Sequence, residues 1–238
     1  MTTYDEKFIK AAKCSKKITK KSSTAFTLAE VLIALGVIGV VAAITLPSMI
    51  KNYQKDKTLT QLKKVYTILN QGTKLAEAEY GDYKYWDSPV TIGAEEYYKK
   101  YYEPYYKKVK NCATYAKCGY AFQPFYNING TNSGITLSSQ RPKIILADGT
   151  ILIDMLYTSY SNGKMGNYPH LIVDLNGSKK PNTLGKDVFV FYRFNKGVLP
   201  ADFGKDYDTI NNNCIQKGYD CAAKIMKDNW KMKDDYPW

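Results

Sequence analysis

The sequence is poor in the residues that most enzymes use for catalysis. It holds a single histidine, His170, among 238 residues. That count excludes most Ser–His–Asp triads and histidine-based metal sites, because both depend on imidazole groups. The G-x-S-x-G, H-E-x-x-H and G-x-x-x-x-G-K patterns of hydrolases, metalloproteases and phosphate-binding loops are also absent. The sequence therefore favours a protein that is not an enzyme, with His170 in a structural role.

Cysteine is scarce, and four of the five cysteines form two close pairs. Cys14 stands alone near the start, Cys112 is followed by Cys118, and Cys214 is followed by Cys221. An even number in the later part of the chain favours two disulfides in an oxidising compartment. Three pairings are open, and short loops favour 112–118 with 214–221. The alternative is a zinc site with four thiolate ligands, although its usual knuckle, C-x₂₋₄-C, is shorter than either pair.

Charge of either sign is nearly missing from a long stretch near the N-terminus. Residues 26–46 are almost wholly apolar and include one charged residue, Glu30. A helix of this length spans about 31 Å, close to the hydrocarbon thickness of a bilayer. The preceding residues contain seven lysines and two acids, a balance that keeps this flank in the cytoplasm. We therefore expect one membrane-spanning helix whose N-terminal side is cytoplasmic.

The carboxylate of Glu30 needs a partner in such a helix. A charge there costs about 2.5–3.5 kcal/mol on insertion scales. No lysine or arginine follows before Lys51. A free amine, created by cutting the chain just before Phe26, would lie about one helical turn from Glu30 or beside the Glu30 of a neighbouring chain. The alternatives are an ordinary signal anchor with an incidental acid, and removal of a signal peptide after Ala43, for which the apolar run is too long.

Residues 25–33 read AFTLAEVLI, and this motif resembles the prepilin processing site of type IV pilins and type II secretion pseudopilins. In that family a prepilin peptidase cuts between a small residue and a phenylalanine and then methylates the new N-terminus. The resemblance implies cleavage between Ala25 and Phe26, N-methylation of Phe26, and a role for Glu30 in subunit assembly. Pro47 also matches the family pattern. Ala25 departs from it, because glycine is usual there, and the leader of 25 residues is longer than is common.

The later sequence predicts a helix that continues from the apolar run and then a set of strands. Apolar residues step at helical spacing along one face, at positions Leu59, Leu62, Tyr66, Leu69, Thr73, Ala76 and Tyr80. Strand-like runs follow at 143–147, 150–156, 168–175 and 187–194, and Asp148-Gly149 forms a hairpin turn between the first two.

These patterns and the resemblance together imply an α+β fold of the type IV pilin class. A long N-terminal helix, with a membrane half and an amphipathic half, is expected to pack on an antiparallel β-sheet head. The expected divisions are a cytoplasmic basic leader at 1–25 that is removed, a helix at 26–80 that is transmembrane over 26–46, and a globular head at 81–238. The head is expected to end in a disulfide loop around Cys214 and Cys221, with a short helix in the tail.

Six tyrosines form three doublets, at 97/98, 101/102 and 105/106. The spacing of four places the doublets on one helical face, which Pro104 should interrupt. One interpretation is an exposed adhesive patch. The favoured one is that one ring of each doublet packs on the head while the other lies at the wet surface.

A polar loop before the last strand-like run carries hard oxygen donors. This segment is similar to one found in pseudopilin-like heads, and some members of the family bind calcium in loops of the head. The candidate ligands are Asp174, Asn176, Asn182 and Asp187, although their spacing is not that of an EF-hand. The alternative is that these side chains bond to the backbone of their own turn. No other cofactor or metal is expected.

The resemblance implies a structural subunit, a pilin or pseudopilin, of a type IV pilus or a type II secretion pseudopilus. Its expected partners are copies of itself, other pilins, prepilin peptidase, the inner-membrane assembly machinery and, before assembly, membrane lipid. We expect a single-pass membrane protein with a periplasmic or extracellular head, and later a filament. One alternative is a minor tip subunit that binds DNA, a surface or a secreted substrate; nucleic acid is the less favoured ligand. A single-pass anchored enzyme is disfavoured by the missing motifs.

Overall fold

A computed structural model of the chain describes residues 26–137, 143–161, 164–194 and 197–238. The chain divides into two compact units, the first ending at Ser48 and the second running from Met49 to Trp238. The expected leader lies outside the described residues, and with it Cys14, Ala25 and the seven lysines.

Helix α1 runs Leu28–Tyr80 and contains Pro47, as the long apolar and amphipathic patterns predicted. In the second unit only one face of this helix is buried, which is the reason for its 3–4 residue periodicity. The buried positions are Leu62, Val65, Leu69, Gly72, Thr73 and Ala76. Val65 and Gly72, on the same face, were not part of the predicted pattern. Tyr80, the last residue of the helix, is 36% exposed.

The head contains a six-stranded antiparallel sheet in which each strand pairs with the next one along the chain. The strands are β1 Lys108–Asn111, β2 Lys143–Leu146, β3 Ile151–Ser161, β4 Lys164–Asp174, β5 Val188–Phe194 and β6 Gly197–Pro200. The four predicted runs correspond to β2–β5. β1 and β6 were not predicted, because a four-residue segment shows too little alternation to be recognised by itself. β2 is equally short, but the turn at Asp148-Gly149 marks it.

The turn between β2 and β3 is the one that the sequence predicted. Ile145 pairs with Ile151, and the amide of Leu146 donates to the carbonyl of Thr150. Gly149 has φ of 87°, a conformation that glycine adopts at little cost. The carboxylate of Asp148 accepts a hydrogen bond from the amide of Thr150 at 3.1 Å. Local chemistry therefore sets the register of this hairpin.

The sheet separates two apolar clusters, because successive strand residues point to opposite faces. On one face Phe189 and Phe191 pack with the buried residues of α1. On the other face Val188 and Val190 pack under the segment that contains the first cysteine pair and Phe125. Both faces of the sheet are thus covered within the second unit.

The tyrosine doublets lie along a short helix, α3 (Ala94–Tyr101), and a 3₁₀ turn, Glu103–Tyr105, that contains Pro104. Tyr102 and Tyr106 directly follow these two elements. Pro104 ends the α-helical pattern as expected. Both interpretations of the doublets were wrong. Five of the six rings are buried and the sixth is partly buried, so there is neither an adhesive patch nor a division into one buried and one wet ring per doublet.

The buried rings pack in the apolar cluster between α1 and the sheet, and one of them, Tyr102, also faces a buried cation on β5. Arg193 is only 2% exposed. The carbon of its guanidinium lies 3.9 Å from the ring centre of Trp86, 4.7 Å from that of Tyr83 and 5.0 Å from that of Tyr102. Aromatic faces attract a desolvated cation, and the flat guanidinium stacks on them. The tyrosine-rich segment therefore supplies the environment that makes burial of Arg193 tolerable.

We expect the substitution Arg193→Lys to lower the free energy of unfolding by about 1–2 kcal/mol, because a compact and strongly hydrated ammonium cannot stack as a guanidinium does. Urea denaturation followed by tryptophan fluorescence measures this change. The matched control is Lys179→Arg at an exposed position. Equal stability of the Arg193→Lys variant and the parent would contradict the stacking role.

The C-terminal part of the head consists of α4 (Tyr207–Lys217) and α5 (Cys221–Lys227). Asp220, between them, is 1% exposed. Its Oδ2 accepts a hydrogen bond from Nδ2 of Asn213 at 2.8 Å. Burial raises the pKa of Asp220 to about 6, and the charge of Asp202 acts in the same direction, whereas the bond from Asn213 and the charge of Lys205 oppose the rise.

This shift predicts how stability depends on pH. The folded state holds a proton on Asp220 up to about pH 6, whereas the unfolded chain releases it near 3.8, so stability falls as the pH rises between these values. The expected loss is about 2–3 kcal/mol. Asp220→Asn should make this part of the profile less steep in urea denaturation at several pH values, whereas Asp234→Asn, at an exposed position, should not. A slope unchanged in Asp220→Asn would refute the assignment.

Candidate functional site

The first unit presents an apolar helical surface that no other described residue covers. Phe26 is 85% exposed and Leu28 78% exposed, and Ile44 is 73% exposed. Among the described residues, α1 is the one helix long and apolar enough to cross a membrane, with a mean hydropathy of 2.4 over its most apolar window and none of that window buried. Exposed apolar surface of this extent requires lipid or other protein around it.

The start of this helix is closed by a reciprocal pair of hydrogen bonds between Thr27 and Glu30. The backbone amide of Thr27 donates to Oε2 of Glu30 at 2.8 Å, and the Thr27 hydroxyl donates to the same oxygen at 2.8 Å. The backbone amide of Glu30 lies 3.2 Å from Oγ1 of Thr27. This arrangement is a capping box, which satisfies amides that the first helical turn leaves unpaired.

The sequence carries the signal of this capping box, although the box was not predicted. A threonine followed three residues later by a glutamate, ahead of an apolar run, is its sequence signature. The structure therefore gives Glu30 a local partner where the sequence suggested only an amine. Phe26, the expected new N-terminus, precedes this box directly and lies outside the helix. Ala25, on the other side of the expected cut, lies outside the described residues.

The candidate calcium ligands of the head lie close together in the loop between β4 and β5. Nδ2 of Asn176 donates to Oδ2 of Asp187 at 3.0 Å, and the backbone amide of Asn182 donates to the same oxygen at 2.9 Å. Oδ1 of Asp174 accepts from the amide of Asn176 at 3.3 Å. Its other oxygen accepts from the hydroxyl of Tyr120 at 2.7 Å. No pattern in the sequence indicated this role of Tyr120.

The electrostatics of this loop are those of two carboxylates removed from water. Asp174 is fully buried and Asp187 is 7% exposed. Burial raises the pKa of Asp174 to about 8, and the neighbouring charge of Asp187 acts in the same direction. Burial likewise raises the pKa of Asp187, against the hydrogen bonds from Thr183 and Asn182 that lower it. A nearby cation would relieve both effects.

The oxygen atoms available in this loop are ligands of the type that a hard cation binds. Oδ1 of Asn176 and Oδ1 of Asn182 are buried and have no hydrogen-bond partner. Two amide oxygens without donors, beside two buried carboxylates, are oxygen ligands of the kind that calcium prefers. No group of three or more His, Cys, Asp or Glu side chains capable of holding a metal occurs in the part of the chain that the structure describes. Backbone bonding by Asp187, the alternative interpretation, is also present in this loop.

The four cysteines of the head form two local disulfides, Cys112–Cys118 and Cys214–Cys221. The Cα atoms are 5.4 Å apart in the first pair and 4.5 Å apart in the second, both within the usual range. The four-thiolate zinc site was therefore wrong, because each thiol is used by its near neighbour in sequence. The second bridge joins α4 to α5 and so fixes the C-terminal part of the head.

Comparison with known proteins gives two family models that match different parts of the chain. The model of the prokaryotic N-terminal methylation motif matches residues 20–46, which include the expected cleavage site and the capping box. The model of a family of unknown function, DUF6613, matches residues 48–238. No curated protein and no solved structure matches the chain.

The methylation motif confirms the resemblance to type IV pilins and pseudopilins, and the long helix with an antiparallel sheet agrees with the pilin-like α+β fold. Motif and fold point to a structural subunit rather than to an enzyme. The motif also implies, in general terms, processing by prepilin peptidase and assembly with other pilins. The chain belongs to the DUF6613 family, and it is a type IV pilin- or pseudopilin-like precursor.

Proposed function

We propose that the protein is a filament subunit of a type IV pilus or a type II secretion pseudopilus. It is cut between Ala25 and Phe26, methylated on the amine of Phe26, and polymerised through the apolar part of α1. The observation that carries this proposal is the capping box of Thr27 and Glu30 at the start of an exposed apolar helix, inside the methylation motif.

Cleavage would change the electrostatics of the helix start. The new α-amine of Phe26 is adjacent to Thr27 and is mostly protonated at neutral pH. Glu30 already directs its carboxylate toward this end of the helix. The carboxylate can therefore neutralise the amine of its own chain or of a neighbouring chain at little reorganisation. Because the surrounding surface is apolar, this single ionic contact would determine how neighbouring helices are positioned against one another.

The proposal predicts that Glu30→Ala leaves membrane insertion intact but lowers the yield of sheared filaments by at least about tenfold, since a buried amine would be left unpaired. Electron microscopy and immunoblotting of the sheared fraction measure the yield. Glu96→Ala, on an exposed face of α3, is the matched control. A normal yield of filaments from the Glu30→Ala variant would contradict the proposed pairing of Glu30 with the amine of Phe26.

The processing step has its own test, which does not depend on assembly. Intact mass and N-terminal analysis of the native protein should give a chain that begins at N-methyl-Phe26. A native chain that starts at Ile44 would indicate conventional signal removal. A filament built from chains that retain residues 1–25 would overturn the proposal as a whole.

We further propose that the loop between β4 and β5 holds a calcium ion in the head. Asp174 and Asp187 would supply charge, and the unpartnered oxygens of Asn176 and Asn182 would supply neutral ligands. The ion would offset the repulsion between the two buried carboxylates and join the ends of the loop. Its role is structural, because the filament proposal requires no chemistry at this site.

Calcium should therefore stabilise the head. A concentration about 100 times the dissociation constant is expected to add about 2.7 kcal/mol of stability and so to raise the melting temperature, with magnesium much less effective. Asn182→Gly is the informative variant, because Asn182 has φ of 51° and glycine preserves that backbone while removing the ligand. It should reduce the shift, whereas Asn212→Ala, at an exposed position, should not. No shift at about 10 mM calcium would refute the site.

A further inference from the structure

Three segments of the head meet at the end of the sheet where β4 leads into β5: residues 113–137, 175–186 and 211–219. The amide of Tyr126 donates to the carbonyl of Asn182 at 3.0 Å. The amide of Ile128 donates to the carbonyl of Lys217, the last residue of α4, at 3.2 Å. These hydrogen bonds join the three segments into one continuous surface, the basic surface. The filament proposal assigns no role to it.

The basic surface carries five lysines and no acid. The three segments contain no aspartate or glutamate, and their basic residues are Lys117, Lys179, Lys180, Lys186 and Lys217. Four of these side chains are exposed, and that of Lys186 is half-buried. None of the five makes an ion pair with a residue that the structure describes. The surface therefore presents positive charge that its own residues do not balance.

The acids close to these segments leave that charge in place. The acids that directly flank them in the chain are all buried: Asp174, Asp187 and Asp220. Burial raises the pKa of Asp174 to about 8, so this side chain is largely neutral at pH 7. Two further acids already have lysine partners, since Asp148 pairs with Lys64 at 2.7 Å and Asp202 pairs with Lys205 at 2.9 Å.

Two aromatic rings are exposed among these lysines. Phe122 is 55% exposed and Tyr126 is 44% exposed. The ring centre of Phe122 lies 6.2 Å from that of Tyr115, and the two planes are 57° apart, so these rings are not stacked face to face. The basic surface therefore offers stacking as well as charge to a partner.

A second copy of the chain is the weaker candidate partner. In the part of the chain that the structure describes, the acids around α3 are bonded to lysines of their own region: Asp82 to Lys84, Asp87 to Lys100 and Glu95 to Lys99. An anionic glycan would supply charge but no flat aromatic group. Single-stranded nucleic acid supplies a phosphate at every nucleotide and, beside it, a base that stacks on an aromatic side chain.

From the five lysines without acidic partners and the exposed rings between them, we propose that the basic surface binds single-stranded nucleic acid. The lysines contact phosphates, and Phe122 and Tyr126 stack on bases. A lysine ammonium is a point charge that lacks the fork geometry of arginine, so little sequence preference is expected. Nucleic acid was the less favoured ligand from the sequence, in which these lysines are far apart. The inference does not rest on filament assembly, because the surface lies wholly in the second unit.

The test is fluorescence anisotropy of the full chain in an uncharged detergent, with a labelled oligothymidine of about 20 nucleotides. We expect a dissociation constant of about 10 μM or below at about 50 mM salt, and a log–log salt slope of about −2 to −3.5, since each phosphate contact contributes about −0.7. A duplex of the same length should bind at least about tenfold more weakly, because its bases are already stacked on each other. Labelled heparin is the probe for binding by charge alone.

Two sets of variants separate charge from stacking. Lys179→Gln together with Lys180→Gln should make the salt slope shallower by about 1.4. The matched control is Lys57→Gln together with Lys74→Gln, which removes the same charge from exposed positions of α1 and should leave the slope unchanged. Phe122→Ala should raise the dissociation constant for oligothymidine about tenfold, with no change of slope and no effect on heparin binding.

Thermal unfolding confirms that each variant is folded. The proposal would be overturned by absence of binding at about 50 mM salt with protein up to about 100 μM. An unchanged slope in the Lys179/Lys180 variant would place the binding elsewhere and would also overturn it. Duplex binding as tight as that of the single strand, or an equal effect of Phe122→Ala on oligothymidine and heparin, would replace it by a polyanion held through charge alone.

Discussion

The constraint on which the molecule depends is a single carboxylate on an uncovered apolar helix. Glu30 is the one charge between residues 26 and 46, and the side chains around it are exposed. Its hydrogen bonds with Thr27 satisfy the helix start without any other element. The apolar surface itself has no such local solution, because apolar side chains are removed from water only by lipid or by other chains. The segment is therefore suited first to a membrane and then to a bundle of its copies.

The head meets the opposite requirement, since it must be stable without a membrane. Its sheet is covered on both faces, and two local disulfides close short loops at its edges. The buried guanidinium of Arg193 is surrounded by aromatic rings. Buried side-chain atoms without a hydrogen-bond partner occur in two kinds of place: on the guanidinium of Arg193, where aromatic rings surround it, and on Asn176 and Asn182 in the loop where calcium binding is proposed. A ligand site is one reason for such an atom, and stacking on aromatic faces is another.

Much of the fold was predictable because its signals are local. The apolar run, the helical periodicity that includes Leu62 and Leu69, and the turn at Asp148-Gly149 each depend on neighbours within a few residues. Long-range partners left no such signal. No pattern close to Arg193 in sequence indicates that the rings of Trp86 and Tyr102 lie around it. Likewise, no pattern close to Asp174 indicates its contact with Tyr120. The tyrosine doublets were misassigned for this reason: amphipathic rings are usually half-exposed, and the apolar surface of α1 and the sheet on which these rings pack comes from other elements.

The sequence by itself determined the class of protein, because the processing motif, the apolar run and Glu30 are contiguous and their chemistry does not depend on how the head folds. It also determined the membrane-length helix and the hairpin register. Only the tertiary structure decided which residues meet across the head: the pairing of the cysteines, the ring environment of Arg193, and the contact of Asp174 with Tyr120. These contacts depend on strand order and packing, which bring together residues that are far apart in the chain and carry no mutual signal in sequence.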